Sequence, residues 1–331
     1  MQQNNLEEIA VILKKHNNFI ISAHAHLDGD ALGSEMALYL MLKNMGKNAI
    51  VVNQDKTPDI YKYLPGVEEI VSTGEYDKDY FLEIKPETVL IILDSSNLER
   101  IGDSHLNLKQ IEYIINIDHH PSNTIFGKYN YIDPHASSIG EILYKLGNKL
   151  NCSLNKEIAI SLYTAIVTDT GSFRYENTNA DTFKIALDLV QQGVSPSCIA
   201  DHIYNENEPS SLRLMGEALR QLKTDFSSKI SWTVVTRDML KETNSKDEET
   251  EGIVDKILSI KNINVSAFFR ETKDGYIKVS FRSKGEFNVD KFARLFSGGG
   301  HPNAAGCNIR GKLNKVTKLI ISKLQTEIRK K

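Results

Sequence analysis

A histidine and two aspartates lie close together early in the chain. His24, Asp28 and Asp30 share one short segment, in which Gly29 and Gly33 allow tight backbone turns. Carboxylate oxygens mixed with imidazole nitrogen suit Mn²⁺, Mg²⁺, Fe²⁺ or Co²⁺ better than a structural zinc, which prefers thiolate and imidazole. Taken alone, the same side chains could equally well cap a turn and a helix. The segment by itself therefore leaves a metal site and a capped turn as alternatives.

Further acidic and imidazole groups occur later in the chain, and they favour the metal site over the capped turn. Asp94 and the triplet Asp118-His119-His120 each follow an apolar, β-branched run, and Asp169 follows an apolar, helix-like stretch. Gathered together, the aspartates would repel one another, whereas two divalent cations would bring four positive charges to meet four carboxylates. Two such ions about 3.5 to 4 Å apart can activate water and clamp a phosphate. The charges therefore favour a site for two metal ions.

The elements that must position these groups have the pattern of βα units. Runs rich in Ile and Val predict buried strands over 19–21, 49–52, 89–93 and 113–117, with helical patterns between them. Open α/β sheets bind ligands in the crevice at the carboxyl ends of their strands. Since the first, third and fourth runs lead into acids and histidines, we expect an N-terminal α/β domain with a parallel sheet and a metal site at that edge.

The C-terminal part of the chain has a different pattern. The runs 265–270 and 276–282 flank Asp274-Gly275, a strong turn signal, and so predict an antiparallel hairpin. A further strand is expected over 232–235. These elements indicate a second, smaller α/β domain. The expected division is a metal-binding domain over 1–192, a helical linker over 193–224 and a substrate-binding domain over 225–331.

The acidic and histidine residues form an ordered series along the chain. The series is His24-x-x-x-Asp28-x-Asp30, then Asp94, then Asp118-His119-His120, then Asp169-Thr170-Gly171. It resembles the DHH superfamily of phosphoesterases, which includes RecJ-type exonucleases and family II inorganic pyrophosphatases. A second resemblance, to the glycine-rich motif of the DHH-associated domain, lies in Gly298-Gly299-Gly300-His301-Pro302-Asn303-Ala304-Ala305-Gly306. By size and layout the chain is similar to the nanoRNase group of bifunctional oligoribonucleases and 3′-phosphoadenosine 5′-phosphate phosphatases.

The resemblance implies a role for each residue of the series. Two divalent cations, typically Mn²⁺ in the family, would share Asp94 as a bridging ligand. His120 would face the substrate, either stabilising its phosphate or protonating the leaving oxygen, and Asp118 would orient its neighbours. The implied catalytic residues are thus Asp94, Asp118 and His120. The implied metal ligands are His24, Asp28 and Asp94 for one cation, and Asp30, Asp94, His119 and Asp169 for the other.

The glycine-rich run is the first candidate for substrate binding. Gly299 and Gly300 could present successive backbone N–H groups to an anion, because glycine lets the backbone approach closely. Standing alone, these glycines would be a flexible tip after a helix expected over 289–296. The neighbouring His301 and Asn303 make a substrate-binding loop the preferred interpretation.

The predicted hairpin offers further candidates. Arg270 and Arg282 lie where its strands end and could grip a phosphate with two hydrogen bonds each, although arginines exposed on a strand surface are the alternative. Phe268 and Phe269 could provide a base-stacking surface. Because side chains alternate along a strand, at least one of the two must belong to the core.

Composition limits the partners. The chain has 331 residues and a net charge of −3, the wrong sign for gripping long nucleic acid, so short RNA or (di)nucleotides fit better than a long duplex. Its 3 scattered cysteines indicate neither a disulfide framework nor a zinc knuckle. No signal-peptide pattern or membrane-spanning run is evident, so we expect a cytoplasmic protein without a membrane partner. The oligomeric state, a homodimer included, is left open.

The expected function is Mn²⁺-dependent hydrolysis of short oligoribonucleotides to 5′-mononucleotides, with 3′-phosphoadenosine 5′-phosphate phosphatase activity beside it. A phosphodiesterase acting on cyclic di-AMP or pApA is the close alternative, because a dinucleotide contains the same phosphodiester bond. A nucleotide sensor without catalysis is an alternative of another class. The complete set of implied ligands disfavours that alternative.

Overall fold

The chain is described by a computed structural model over residues 3–73, 87–102 and 111–329. It divides into two compact units, Met1–Glu206 and Asn207–Lys331, which we call the N-terminal and C-terminal units. Within the described ranges, no helix combines the length and the apolar character needed to span a bilayer.

A parallel sheet forms the centre of the N-terminal unit. Its described strands are β1 (Asn18–Ser22), β2 (Asn48–Asn53), β3 (Val71–Ser72), β4 (Val89–Leu93), β5 (Tyr113–Asp118) and β6 (Tyr129–Ile132). They lie in the order β3-β2-β1-β4-β5-β6, and each neighbouring pair is parallel. The four strands predicted from sequence form β1, β2, β4 and β5, so the prediction of a parallel α/β sheet is confirmed. Strand order reverses between β1 and β4, and such a reversal opens a crevice at the carboxyl ends.

Alternate side chains of the strands face two separate cores. Val89, Ile91 and Leu93 of β4 join the larger core, whereas Leu90 and Ile92 join a smaller one. Burial on both faces explains why these strands have continuous apolar sequences. The described helices of this unit are α1 (Leu6–Lys15), α2 (Gly29–Asn44), α3 (Ile139–Leu150), α4 (Lys156–Asp169), α5 (Ala180–Gln191) and α6 (Pro196–Ala200).

The C-terminal unit is built on a mixed sheet. Its described strands are β7 (Lys223–Asp225), β8 (Ile230–Val235), β9 (Val265–Glu271), β10 (Tyr276–Ser283), β11 (Gly299–His301) and β12 (Ala304–Arg310). They lie in the order β11-β12-β10-β9-β8-β7, in which only β8 and β9 are parallel neighbours among those described. The antiparallel hairpin predicted around Asp274-Gly275 is confirmed as β9 and β10.

Helices pack on this sheet. They are α7 (Pro209–Arg220), α8 (Arg237–Glu242), α9 (Ile253–Leu258), α10 (Val289–Arg294) and α11 (Leu313–Arg329). Phe269 belongs to one core and Phe268 to another, because the sheet is covered on both faces. Both rings are buried, at 0% and 4% exposure, so the base-stacking interpretation of this pair is wrong.

Candidate active site

The predicted ligands of the N-terminal unit meet at the carboxyl edge of its central strands. His24 follows β1, Asp94 follows β4 and His119 follows β5, while Asp169 is the last residue of α4. Asp94 has a φ of 52°, a left-handed conformation that is uncommon outside glycine. Backbone strain of this kind persists only where the surroundings hold it, and it is frequent at functional sites. The fold thus gathers residues that are far apart in the sequence.

His24, Asp28 and Asp94 form a first group. Nε2 of His24 lies 3.3 Å from Oδ2 of Asp94 and 3.7 Å from Oδ2 of Asp28. Nδ1 of His24 donates to the carbonyl oxygen of Ala25 at 2.8 Å, because a carbonyl only accepts. Asp28 uses its other oxygen, Oδ1, to accept from the N–H of Ala31 at 3.0 Å and so caps α2. The capping and ligand interpretations of Asp28 are therefore compatible.

A second group shares Asp94 with the first. Nε2 of His119 lies 3.6 Å from Oδ1 of Asp94. The same nitrogen lies 3.8 Å from Oδ2 of Asp30 and 3.7 Å from Oδ2 of Asp169. Nδ1 of His119 faces the carbonyl oxygen of Ala136 at 3.3 Å. Both histidines thus turn Nδ1 to a backbone carbonyl and Nε2 to carboxylates, an arrangement that suits a metal ligand.

The N-terminus of α3 fixes Asp30. Its Oδ2 accepts from the N–H of Ile139 at 2.8 Å, and its Oδ1 accepts from the N–H of Gly140 at 3.2 Å. The hydroxyl of Ser34 donates to Oδ1 at 3.1 Å. The first amides of a helix have no partner within the helix, so they supply donors at a fixed position.

The crowding of charges shifts the pKa values of these groups. Burial and the charges of Asp94 and Asp169 raise the pKa of Asp30 well above its usual value. Burial raises the pKa of Asp169 to about 6. Burial alone would also raise the pKa of Asp94, but the imidazoles of His119 and His24 outweigh it and hold that pKa well below the usual range. Burial alone would lower the pKa of both imidazoles, but the facing carboxylates hold those pKa values well above the usual one.

This set of donors fits divalent metal ions. Oδ1 of Asp94 is buried and has no hydrogen-bond partner among the described residues. The donor atoms of His24, Asp28 and Asp94 lie within 4.8 Å of one another, and so do those of Asp30, Asp94 and His119. One cation with bonds of about 2 Å can span such a group. It would also supply the positive charge that protons on the imidazoles otherwise provide.

Asp118 and His120 lie in a hydrogen-bonded chain beside the two groups. Nδ1 of His120 lies 2.7 Å from Oδ1 of Asp118. Asp118 also accepts from the N–H of His119 at 2.9 Å and from Nδ2 of Asn123 at 2.6 Å. Nε2 of His120 lies 3.2 Å from Nη1 of Arg100. Asp118 therefore holds the ring of His120 in one orientation.

Sequence reasoning missed three residues near this cluster, namely Arg100, Asn123 and Glu35. Arg100 contacts His120, and Asn123 holds Asp118. Glu35 is fully buried in α2, where its Oε2 accepts from Nδ2 of Asn53 at 2.8 Å, and burial raises its pKa to about 8. In the sequence, Arg100 differs from other polar loop residues only in following Asp94 closely, which does not single it out.

In the C-terminal unit, the glycine-rich run is not the loop that the sequence predicts. Gly299–His301 forms β11 and pairs with β12 in a tight hairpin. The N–H of Gly300 donates to Oδ1 of Asp290 at 2.9 Å, so a carboxylate already occupies this amide. Asn303 accepts from the hydroxyl of Ser283 at 3.1 Å through its Oδ1. Gly300 has a φ of 152°, and a Cβ there would lie 2.4 Å from the carbonyl oxygen of Ala304, so pairing itself requires the glycine.

The two candidate arginines are each paired with a carboxylate of the same unit. Nη1 of Arg270 lies 3.0 Å from Oδ2 of Asp247, whose Oδ1 lies 2.5 Å from Nη1 of Arg237. Nε of Arg282 lies 3.3 Å from Oδ1 of Asp255. Binding of a phosphate at either guanidinium would therefore have to compete with an existing ion pair.

Carboxylates and imidazoles cluster where the strand order of the parallel sheet reverses, and a second unit with a mixed sheet follows in the chain. This combination is that of the two-unit, metal-dependent phosphoesterases. Residues 18–166 match the DHH family, N-terminal domain, and residues 225–326 match the DHHA1 domain. The chain belongs to the DHH phosphoesterase family, whose members are hydrolases that act on phosphoester bonds.

Individual relatives extend over most of the chain. The bifunctional oligoribonuclease and PAP phosphatase NrnA of Thermus thermophilus is 32% identical over 304 residues, which cover 92% of this chain and 88% of that protein. The protein of the same name from Bacillus subtilis is 30% identical over 307 residues, covering 91% and 92%. An exopolyphosphatase-related protein from Bacteroides fragilis has a similar structure, with a TM-score of 0.89, 29% identity and coverage of 98% and 97%.

Proposed function

We propose that this protein hydrolyses short oligoribonucleotides to 5′-mononucleotides and also hydrolyses 3′-phosphoadenosine 5′-phosphate (PAP). The observation that carries the proposal is the pair of buried carboxylate and imidazole groups that share Asp94. Relatives that match most of this chain are named for both activities, which supports the choice of substrates. Cyclic di-AMP and pApA remain alternatives for the experiment to separate.

We assign two Mn²⁺ ions to the site, because mixed carboxylate and imidazole donors suit this metal. When bound, two such cations neutralise the charge of a phosphate and lower the pKa of nearby water. The polypeptide holds the metal-binding atoms in place. Backbone carbonyls orient the two imidazoles, and the amides at the start of α3 fix Asp30. The proposed ligands are His24, Asp28 and Asp94 for one ion, and Asp30, Asp94, His119 and Asp169 for the other.

Asp118 and His120 are proposed to serve the substrate phosphate. Asp118 is fully buried and acts by directing the ring of His120, with which it shares a 2.7 Å hydrogen bond. Substrate binding is proposed for the C-terminal unit, through Gly299, Gly300, His301 and Asn303 of the hairpin and through Arg270 and Arg282. At the two arginines, a substrate phosphate would replace the carboxylates that pair with them.

A rate comparison tests the proposed function. Purified protein with Mn²⁺ is given RNA of two to ten nucleotides, pApA, cyclic di-AMP and PAP, and kcat/KM is measured for each. We expect the highest values for the shortest RNA, with release of 5′-mononucleotides, and measurable turnover of PAP. A clear preference for cyclic di-AMP would favour the dinucleotide alternative. If every substrate remains intact, the proposed enzymatic function fails and the nucleotide sensor becomes the preferred alternative.

His301→Ala tests the role of the hairpin. The substitution should raise KM for the RNA dinucleotide severalfold, while the bound Mn²⁺ measured by atomic absorption stays constant. Glu242→Ala, at an exposed residue of α8 in the same unit and outside the proposed binding residues, is the control. Loss of Mn²⁺ from the His301 variant would show that this residue belongs to the metal site and not to substrate binding.

A further inference from the structure

Arg100 stands at the end of a hydrogen-bonded chain that begins behind the DHH triplet. Nδ2 of Asn123 donates to Oδ2 of Asp118 at 2.6 Å, and Oδ1 of Asp118 lies 2.7 Å from Nδ1 of His120. Nε2 of His120 lies 3.2 Å from Nη1 of Arg100. Asp118 and His120 are 0% and 2% exposed, whereas Arg100 is only partly buried. The chain therefore runs from the interior to accessible space.

The direction of each hydrogen bond in this chain follows from the chemistry of its ends. A guanidinium can only donate, and an ionised carboxylate can only accept. Nδ1 of His120 therefore carries a hydrogen toward Asp118, and Nε2 presents a lone pair to Arg100. The positively charged group at the accessible end of this hydrogen-bonded chain is the guanidinium of Arg100.

The main chain of Arg100 connects two loops that carry ligands. It lies in the 3-10 turn Leu98–Ile101, shortly after Asp94, and its carbonyl accepts from the N–H of Ala25 at 2.7 Å. Its own N–H donates to Oδ1 of Asn97 at 3.1 Å. Because these bonds use main-chain atoms of Arg100, the side chain can be replaced without losing them.

We propose that the guanidinium of Arg100 binds the phosphate that is hydrolysed, and that His120 holds this guanidinium in place. The inference rests on the proposed phosphoesterase function and specifies how the triplet serves it. Two divalent cations would balance the four clustered carboxylates, so the anionic phosphate gains a further counter-charge from Arg100. A planar guanidinium fits two phosphate oxygens at once.

The experiment uses the full-length protein with Mn²⁺, and an RNA dinucleotide and PAP as substrates. The variants are Arg100→Ala, Arg100→Gln, His120→Ala and the Arg100→Ala, His120→Ala double variant, with kcat/KM, bound Mn²⁺ and thermal unfolding measured for each. Arg220→Ala is the matched control, because Arg220 is exposed on α7 and pairs only with Glu217 in the contacts described. In both substrates the phosphate that is hydrolysed is attached to the 3′ oxygen of a ribonucleoside, so a residue that binds this phosphate should affect both.

We expect Arg100→Ala and Arg100→Gln to lower kcat/KM by about 100-fold on both substrates, at unchanged Mn²⁺ content, since loss of one charged donor at a reacting phosphate has this size. His120→Ala should lower kcat/KM less than this, and the double variant should have the same kcat/KM as Arg100→Ala.

If Arg100→Ala does not fold, the result for Arg100→Gln is the one that tests the inference, because glutamine keeps a hydrogen-bond donor and a similar length. Activity of both variants equal to that of Arg220→Ala would overturn the inference alone. The inference alone would also be overturned if His120→Ala lowered kcat/KM more than Arg100→Ala does and the double variant had the same kcat/KM as His120→Ala. An inactive wild-type protein would overturn the proposed function and this inference together.

Discussion

At the scale of single residues, both ligand groups depend on Asp94. Its Oδ2 faces His24 at 3.3 Å and its Oδ1 faces His119 at 3.6 Å. Asp94→Asn should lower kcat at least about 100-fold and reduce the bound Mn²⁺, because a neutral amide bridges two cations poorly. Asn also tolerates the left-handed φ, so the thermal unfolding midpoint of the metal-free protein should change little. Asp59→Asn, at an exposed carboxylate paired with Lys62, is the control. Unchanged turnover in Asp94→Asn would contradict the bridging assignment.

Glu35 links the stability of the N-terminal unit to pH. Its side chain is fully buried, and Oε1 has no hydrogen-bond partner in the described part of the chain. Burial raises the pKa of Glu35 from 4.5 to about 8. Between these pH values the folded protein keeps a proton that the unfolded chain has released. The contribution of Glu35 to stability is therefore present below pH 4.5 and is lost as the pH rises towards 8.

Glu35→Gln should remove this pH dependence. The amide stays neutral and can still accept the hydrogen bond from Asn53, so the variant should match wild type near pH 5. Near pH 8 its free energy of unfolding should exceed that of wild type by up to about 4 kcal/mol. Urea unfolding of the metal-free protein at both pH values measures the difference, and Glu68→Gln on the surface is the control. An equal difference at both pH values would show that Glu35 is ionised in the fold.

At the scale of elements, glycine sets the distance between α2 and α4. A Cβ on Gly33 would lie 2.5 Å from the carbonyl oxygen of Ser161 and 2.8 Å from the nitrogen of Ala165, both backbone atoms. Backbone atoms cannot move aside as a flexible side chain can, so a methyl group must push the helices apart. The start of α2 and the end of α4 carry Asp30 and Asp169, and their separation therefore affects the site.

Gly33→Ala should lower the free energy of unfolding by about 1 to 3 kcal/mol, the usual cost of overpacking. Gly216→Ala is the matched control, because Gly216 lies within α7 and a Cβ there meets nothing within 4 Å. The control should stabilise the protein by about 0.5 to 1 kcal/mol, since alanine favours a helix over glycine. Denaturant unfolding of the two variants gives the comparison. Because the two expected changes have opposite signs, a change of the same sign in both variants would point to a general effect of Gly→Ala and contradict the packing argument.

The parallel strands could be predicted from the sequence because they are buried on both faces, and such burial requires apolar residues throughout the strand. Strands β1, β2, β4 and β5 lie inside a covered parallel sheet, so continuous Ile and Val runs mark them. β11 was missed because Gly299 and Gly300 carry no side-chain pattern, and the strand exists only through pairing with β12. The burial of Phe268 was missed because alternation predicts a solvent face for antiparallel strands, whereas this sheet is covered on both faces.

At the scale of the whole molecule, the candidate site could be predicted because its residue types are unusual at strand ends. Aspartates and histidines after apolar runs are visible in sequence, and parallel strands bring such ends together. Arg100 and Asn123 could not be predicted in the same way, because their contacts depend on how a 3-10 turn and a loop fold over the strands. Polar residues in loops are common, and only the structure singles these two out.

Because the chain has two units, unfolding experiments can show which unit is stabilised by bound metal. The clustered carboxylates lie in the N-terminal unit, where burial raises the pKa values of Asp30 and Asp169. The chain's single tryptophan, Trp232, lies on β8 of the C-terminal unit. Its fluorescence therefore reports on that unit, whereas calorimetry reports on both. The two signals together can separate an effect on one unit from an effect on the whole chain.

Chelation of metal with EDTA should lower the stability of the N-terminal unit alone. A cation present at 100 times its Kd stabilises the folded state by about 2.7 kcal/mol, which corresponds to roughly 5 to 10 °C for a unit of this size. The calorimetric transition should move down by this amount, while the Trp232 fluorescence midpoint stays constant. Asp94→Asn should reduce the shift, because it removes the ligand common to both groups. A fluorescence midpoint that falls together with the calorimetric one would mean that the two units unfold as one, and no shift at all would contradict the metal site.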